Sequence, residues 1–510
     1  MENFVFSSRA KAITGGTALF GLLLLIASYF VDGGEGHHMR FWTNLLHNSV
    51  FFIGISFIAC FAYGAFTTAY AGWFVQFKRV WEAFGMFLLP GLFLMGIIVV
   101  GLWMHAHHMY HWNDQEAVAT DALLTHKSSF LNPVWFTGAT IIILGVYYWL
   151  ISSVRKISID EDTNGTTSYA HHRRIKKWAA PMIAVIGFTS PFLIWQWIMS
   201  LDAHWYSTMF AWYASASLFV AMIALTIMLL IYLKSRGYFP GVTAEHFHDL
   251  GKYLFAISIF WTYVWFSQFM LIWYANVGEE TIYFKLRMDE YPVLFWGNLL
   301  LNFIMPFFIL MRNDTKRKYG TLFFASAIVF FGHWFDYFNM IKPGARQTLI
   351  EMEHHAAGHD EAHTTTLDAG NSHGEDHATA TMDDHAADHA GTDESHGADH
   401  AGDDHAMAAT GDHADDDHAM ATTGDHAGDD HAAGDHGGDE HGTMAMGGGA
   451  GHDSHGLEFK SGYTLPGLLE IGIFLGFLGG FLFFVLSMLA KAPLEPKKDP
   501  YYEESLHHHT

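Results

Sequence analysis

The 510-residue chain contains one cysteine, Cys60. A single thiol excludes an internal disulfide, a cysteine-ligated iron–sulfur cluster and a C-x-x-C-H haem attachment. No glycine-rich G-x-x-x-x-G-K-[ST] loop occurs, which argues against an ATP-driven pump. Positive charge is scarce, with 27 Lys+Arg against 51 Asp+Glu and a formal net charge of −24. Without a basic stripe, nucleic acid is excluded as a partner. The deficit is local. Residues 351–457 lack Lys, Arg, Phe, Trp and Tyr altogether, yet hold 26 of the acids and more than half of the 36 His. The remainder carries 25 acidic and 27 basic residues, a net of +2. The chain is therefore a nearly neutral, apolar body with an acidic, His-rich insert.

What the body does have is long apolar runs. About 20 helical residues cross the roughly 30 Å of hydrocarbon in a bilayer. Ten such stretches are legible, at 11–31, 47–76, 81–104, 131–153, 178–199, 208–233, 250–276, 292–311, 320–341 and 464–490. The first begins too deep and runs too long for a cleaved signal peptide, and no A-x-A site follows, so it reads as a retained helix. These runs predict an all-α polytopic membrane protein with ten transmembrane helices. The domains are residues 1–345 (helices one to nine), 346–462 (external loop), 463–492 (helix ten) and 493–510 (tail). The N-terminus, even-numbered connections and C-terminus hold 20 Lys and Arg, the odd connections 7. The positive-inside rule then puts both termini in the cytoplasm and the His-rich loop outside. In a bacterium this is the inner membrane, with that loop in the periplasm. Gly472, Gly476 and Gly480 repeat at four-residue spacing, a face for close helix approach. Pro90, Pro191 and Pro306 lie inside stretches three, five and eight, where they would bend the helices.

The insert has too few apolar groups to offset the entropy of ordering, so it reads as disordered. DDHAMAATGDHA at 403–414 recurs as DDHAMATTGDHA at 416–427. Imidazole and carboxylate together suit Zn, Cu or Ni, which makes His405, His413, His418, His426 and His431 candidates for weak metal binding. A low-complexity expansion without metal, or a pH-dependent charge brush, fits the same composition.

Ionisable groups at membrane depth are functional candidates. On the predicted topology they gather outside. The third stretch ends in His105, His107, His108 and His111. The fifth ends in Asp202 and His204, in a loop without a basic residue. The ninth carries His333 and Asp336, the tenth meets Glu470 about two turns in, and His47 opens the second. Glu279 and Glu280 follow the seventh and read as a solvated loop. The cytoplasmic half shows no comparable cluster. For each group two readings stay open. The histidines of 105–111 form an interfacial cap or a site. His333 and Asp336, three apart on one face, form a proton relay or an interhelical tie. Glu470 forms an ion pair or a functional carboxylate. Asp202 and His204, two apart, share no helix face. Asp202 would cap a turn, with His204 pointing elsewhere. The surrounding Trp and Tyr form a membrane-interface belt or a surface for a flat apolar ligand such as a quinone.

WQWIMSLDAHWYSTMFAWY (195–213), FWTYVWFSQFMLIWYANVGEETIYF (260–284), NFIMPFFILMRNDTKRK (302–318) and HWFDYFNMIKPG (333–344) resemble the second large membrane subunit of bacterial alternative complex III. That complex is a quinol:cytochrome c (or high-potential acceptor) oxidoreductase, and the subunit is related to the NrfD-like polysulfide-reductase membrane subunits. The resemblance covers the ten stretches in order but not the insert. It implies two four-helix bundles, helices 2–5 and 6–9, flanked by helices 1 and 10. It implies a sister NrfD-like membrane subunit, an iron–sulfur protein and multihaem cytochromes c as partners. Haem and clusters then reside in those partners, this chain has no redox centre of its own, and quinol is the small molecule left open. The expected role is support of quinol oxidation or proton transfer at the outer face. Two other functions compete: a metal-ion transporter with a His-rich collecting loop, which would need midplane ligands, and a b-type cytochrome, which would need two His at matching depth.

Overall fold

The computed structural model describes residues 4–31, 38–165, 169–370 and 460–508. The chain divides into two units, Met1–Thr365 with His455–Thr510 and Thr366–Ser454. The first is an all-helical body. Among its described residues are ten helices long and apolar enough to cross a membrane: α1 (Ser8–Val31), α2 (Met39–Thr68), α3 (Trp73–Trp103), α4 (Pro133–Asn164), α5 (Tyr169–Leu201), α6 (Thr208–Ser235), α7 (Ala244–Ala275), α8 (Pro292–Leu310), α9 (Tyr319–Ile350) and α10 (Leu468–Leu489). Among the described residues there is no strand, only one isolated bridge between Ser461 and Leu465. The protein is thus an all-α, multi-pass membrane protein. Helices suit a bilayer because every backbone N–H and C=O is satisfied within the segment.

Several helix ends differ from the sequence expectation, and the reasons are local. The second helix starts at Met39 rather than near 47, so His47 lies two turns inside it. The third begins as a 3-10 turn, Trp73–Phe77, followed by Lys78–Gly85 and then Leu88–Trp103. Its charged first half hid it from a hydropathy reading. The fourth runs on to Asn164, far past residue 153, through a charged segment that is buried by its neighbours. Asn132 starts that helix, its side chain accepting Trp135 N–H at 2.9 Å, with Pro133 at the first helical position. The helix of α9 continues beyond residue 345 to Gly370.

Helices α2–α5 close a ring: α2 packs on α3 and α5, and α4 on α3 and α5. Helices α6 and α7 pack together, with α8 against α7, and α9 joins them through polar contacts described below. The rings meet where α2 packs on α6. Helices α1 and α10 pair outside them, α10 also touching α2 and α3. The glycine face read from the sequence makes this pairing. A Cβ on Gly476 would run into the backbone of Gly21, one on Gly472 into Leu24, and Gly480 faces Ala18. Dispersion at such close approach holds helices together where no hydrophobic drive exists.

In α8, Pro306 cannot donate to the carbonyl of residue 302 and its ring crowds that carbonyl. The helix responds with a π turn at Leu300–Ile304. Turns of this kind recur at functional sites, and this one carries Asn302 into the α6–α9 core.

Candidate functional site

At the centre of the α6–α9 ring lies Asp336, fully buried. Four donors converge on its carboxylate from three other helices. Ser217 Oγ of α6 donates at 2.8 Å, Trp261 Nε1 of α7 at 3.0 Å and Asn298 Nδ2 of α8 at 2.5 Å. The fourth is the Tyr213 hydroxyl of α6. Asn298 is held in turn by Asn302 Nδ2 at 2.5 Å, which also reaches Gly332 O at 2.9 Å. Four donors around one carboxylate are what a buried negative charge requires in place of water.

His333, also fully buried, lies one turn before Asp336 on the same helix. Its Nδ1 is 4.0 Å from Asp336 Oδ2, too far for a hydrogen bond, and Ser217 bridges the two. The Ser217 hydroxyl gives its hydrogen to Asp336, so at 2.9 Å it accepts from His333 Nδ1–H. His333 and Asp336, three apart on one helix face, are therefore linked through Ser217 of α6 rather than directly. His333 Nε2 has no partner, and the Trp261 ring stands nearly perpendicular to the imidazole with the ring centroids 5.4 Å apart. With the hydrogens so placed, a proton taken up at His333 Nε2 can be relayed from Nδ1 over Ser217 to Asp336.

A polar seam joins the site to α2. His47 donates Nε2–H to Trp334 O at 3.0 Å and its ring stacks on Trp334, whose Nε1 donates to Asn48 Oδ1 at 3.0 Å. Near the same end, Lys342 Nζ donates to Thr43 Oγ1 at 2.6 Å. Glu470 of α10 takes a bidentate pair from Arg40 at 2.8 and 3.1 Å, with Asn44 at 3.3 Å. Glu470 thus forms the ion-pair arrangement, and it also caps its own helix by accepting Gly467 N–H at 2.9 Å.

Beyond Asp336, at the end bearing the odd-numbered connections, Asp202 is not isolated. Arg287, on the helix Gly278–Asp289, donates Nη2 to Asp202 Oδ2 at 3.0 Å. Its other donors satisfy the carbonyls of Tyr283 (3.1 Å) and Asn339 (3.2 Å), and its plane lies 3.4 Å from the Tyr283 ring centroid. Tyr283 stacks on Trp205 at 3.9 Å. This corrects the reading of Asp202 as a turn cap in a base-free loop: the base arrives from a connection 85 residues away. His204 does point elsewhere, to Asp121 at 2.5 Å. That hydrogen bond holds the Asp121 carboxyl below its ordinary range.

The four histidines after α3 form no single site. His105 is exposed with φ +50°, His108 and His111 are half-buried, and only His107 is buried. Its Nε2 donates to Ile98 O at 3.2 Å, its ring meets Trp42, and its Nδ1 has no partner. Burial pushes its pKa down to about 4. A depressed histidine stabilises the fold fully above its unfolded pKa near 6.5, and that contribution is lost as pH falls toward 4. Acidification from pH 7 to 4 should cost wild type roughly 3 kcal/mol more than His107→Gln, from about 1.4 kcal/mol per pKa unit. Thermal melts of both proteins across that range check this.

The half of the body in which no comparable cluster was legible does hold one. At the end bearing the even-numbered connections, Glu82 of α3 is fully buried and accepts from Arg79 Nη1 (2.6 Å), Arg155 Nη1 (3.4 Å), Ser158 Oγ (2.7 Å) and Tyr63 OH (3.4 Å). Lys78, Glu161, Asp162 and Asp499 extend the cluster. The only local signal in sequence was the i, i+3 spacing of Arg79 and Glu82. The remaining partners come from the unexpected extension of α4 and from the C-terminal tail.

His405, His413, His418, His426 and His431 lie outside the described residues. Among the described residues no group of three or more His, Cys, Asp or Glu is arranged to hold a metal ion. No protein-family model matches the chain, and no curated protein matches it.

Proposed function

We propose that this chain is an integral membrane subunit of a respiratory quinol:cytochrome c, or high-potential acceptor, oxidoreductase, and that its α6–α9 core transfers protons released by quinol oxidation toward the outer face. The Asp336–Ser217–His333 chain carries this reading: a carboxylate with four donors beside an imidazole with one free nitrogen, all buried in a membrane helix bundle. Intramembrane carboxylate–histidine chains are what a proton path needs. The motifs at 195–213, 260–284, 302–318 and 333–344 support the assignment of the reaction. On this reading a sister NrfD-like subunit lies beside the chain, and iron–sulfur and multihaem cytochrome c subunits outside it hold the redox centres. The chain sits in the bacterial inner membrane with its termini in the cytoplasm.

The assembled complex carrying Asp336→Asn should oxidise quinol at least about tenfold more slowly, consistent with the 10²–10⁴-fold weight of positioned acid–base groups. His333→Ala should reduce proton release, with haem and iron content unchanged. Wild-type turnover and wild-type proton yield in both variants would sink the assignment of these residues.

A further inference from the structure

The cluster at the other end of the body has an unbalanced charge. Three cations, Lys78, Arg79 and Arg155, face four carboxyls: Glu82, Glu161, Asp162 and Asp499. Exposure of all seven residues is 6% or less. Glu82 sits between Arg79 and Arg155, Asp162 pairs with Arg79, and Lys78 lies between Glu161 and Asp499. Three carboxyls match three cations, and the fourth has none.

The other titratable neighbours do not restore the balance. From α2, Tyr63 donates its hydroxyl to Glu82, as a neutral phenol does. From α5, His172 packs against the rings of Tyr70 and Tyr501 with its Nε2 unpartnered. A charged imidazolium there would bury an N–H without an acceptor, so the ring counts as neutral. Lys176 lies over the Tyr70 ring at 3.8 Å, outside the cluster. From the tail, Lys498 is spent on Thr163 O at 3.0 Å. Farther along α4, Asp160 is half-exposed and paired with His171 and Arg174.

Two observations show where the excess sits. Glu161 Oε1 and Asp162 Oδ1, on adjacent residues of α4, are buried without any hydrogen-bond partner. A buried carboxylate oxygen without a donor costs more in an ionised group than in a protonated one, so these two residues are where the extra proton is best placed. A cavity of about 10 Å³ lies against Lys78, Asp499 and His172, large enough for about one water to relay a proton.

We infer that this cluster is a proton-holding site: its seven charged side chains share one exchangeable proton, and the C-terminal tail creates the site by contributing Asp499. Without the tail's carboxyl, three cations would meet three anions and no proton would be needed. With it docked on Lys78, one proton must bind for neutrality. Tail docking and proton uptake are therefore linked, and each favours the other. The tail is well placed to stay docked, since Ser505 Oγ donates to Trp73 O at 2.9 Å and His508 bonds Asp249 at 2.6 Å.

Infrared spectra of the full-length protein in H₂O and D₂O test it, through the isotope-sensitive C=O stretch of protonated carboxyl groups. Wild type should show this band at neutral pH. Asp499→Asn, in the tail, and Glu161→Gln, on α4, should each remove one carboxyl equivalent from it. The double variant should remove no more than either alone, because one proton is shared. Lys78→Met should change the band in the opposite direction, adding one equivalent. If the band is unchanged in both acid variants, or lost in only one of them, the shared proton is refuted. Because the acid and lysine variants shift the signal oppositely, general loss of structure cannot imitate the expected pattern.

Discussion

Replacing Arg287 by Met should destabilise the protein by about 3–5 kcal/mol, the range seen when one partner of a buried ion pair is removed. The cost is not the lost attraction alone. Asp202 would keep a carboxylate with only 14% of its side chain exposed, and the carbonyls of Tyr283, Asn339 and Met340 would lose their donor. The planar stack on Tyr283 would go as well. Arg287→Lys should recover only part of the loss, because an ammonium cannot span those acceptors in one plane. Adding Asp202→Leu to Arg287→Met should restore stability relative to the single variant, since it removes the stranded charge. The comparison is made by thermal melts of the purified proteins in detergent. Equal stability of wild type and Arg287→Met would mean that the pair does not hold the odd-connection end together. The expected structural consequence reaches Asp336, because Asn339 and Met340 follow it on α9.

Glu82→Leu should have a similar effect in the other ring. Its carboxylate receives four donors, as Asp336 does, but two of them are guanidinium groups. Removing it leaves Arg79 with Asp162 and Ser158, and leaves Arg155 with only the Met488 carbonyl at 2.7 Å. A loss of about 3–5 kcal/mol is expected, with loosening of α10, which Arg155 ties to α4. Glu82→Gln keeps the shape and two acceptor lone pairs and should cost less. Melting curves and the protease sensitivity of the 490–508 segment read out both effects; unchanged values in Glu82→Leu would show that the cluster does not tie α10 to the ring.

The helix runs were legible because twenty consecutive apolar residues are a composition signal that needs no partner. So was the Gly472–Gly476–Gly480 face, since small residues at four-residue spacing have few other uses in a membrane. His333 and Asp336 stood out because ionisable groups are rare at such depth. Their partners did not. Tyr213, Ser217, Trp261 and Asn298 are ordinary residues of apolar helices, and only the packing of α6, α7 and α8 aims them at one carboxylate. Asp202 with Arg287 and Lys78 with Asp499 failed for a different reason. Each pair joins residues 85 or 421 positions apart, and pairing across such separations leaves no periodicity. The charged end of α4 was missed because hydropathy treats Arg155, Glu161 and Asp162 as loop, whereas mutual neutralisation lets them continue a buried helix.

The central claim, that the chain serves a quinol-oxidising complex, is tested most directly by isolating the full-length tagged chain from its native membranes under mild detergent. Quinol is then added, and acceptor reduction and acid release are followed together. Co-purification of c-type haem and iron–sulfur protein, with quinol oxidation slowed by Asp336→Asn, is the expected result. A chain that purifies without redox-active partners and supports no quinol oxidation would contradict it.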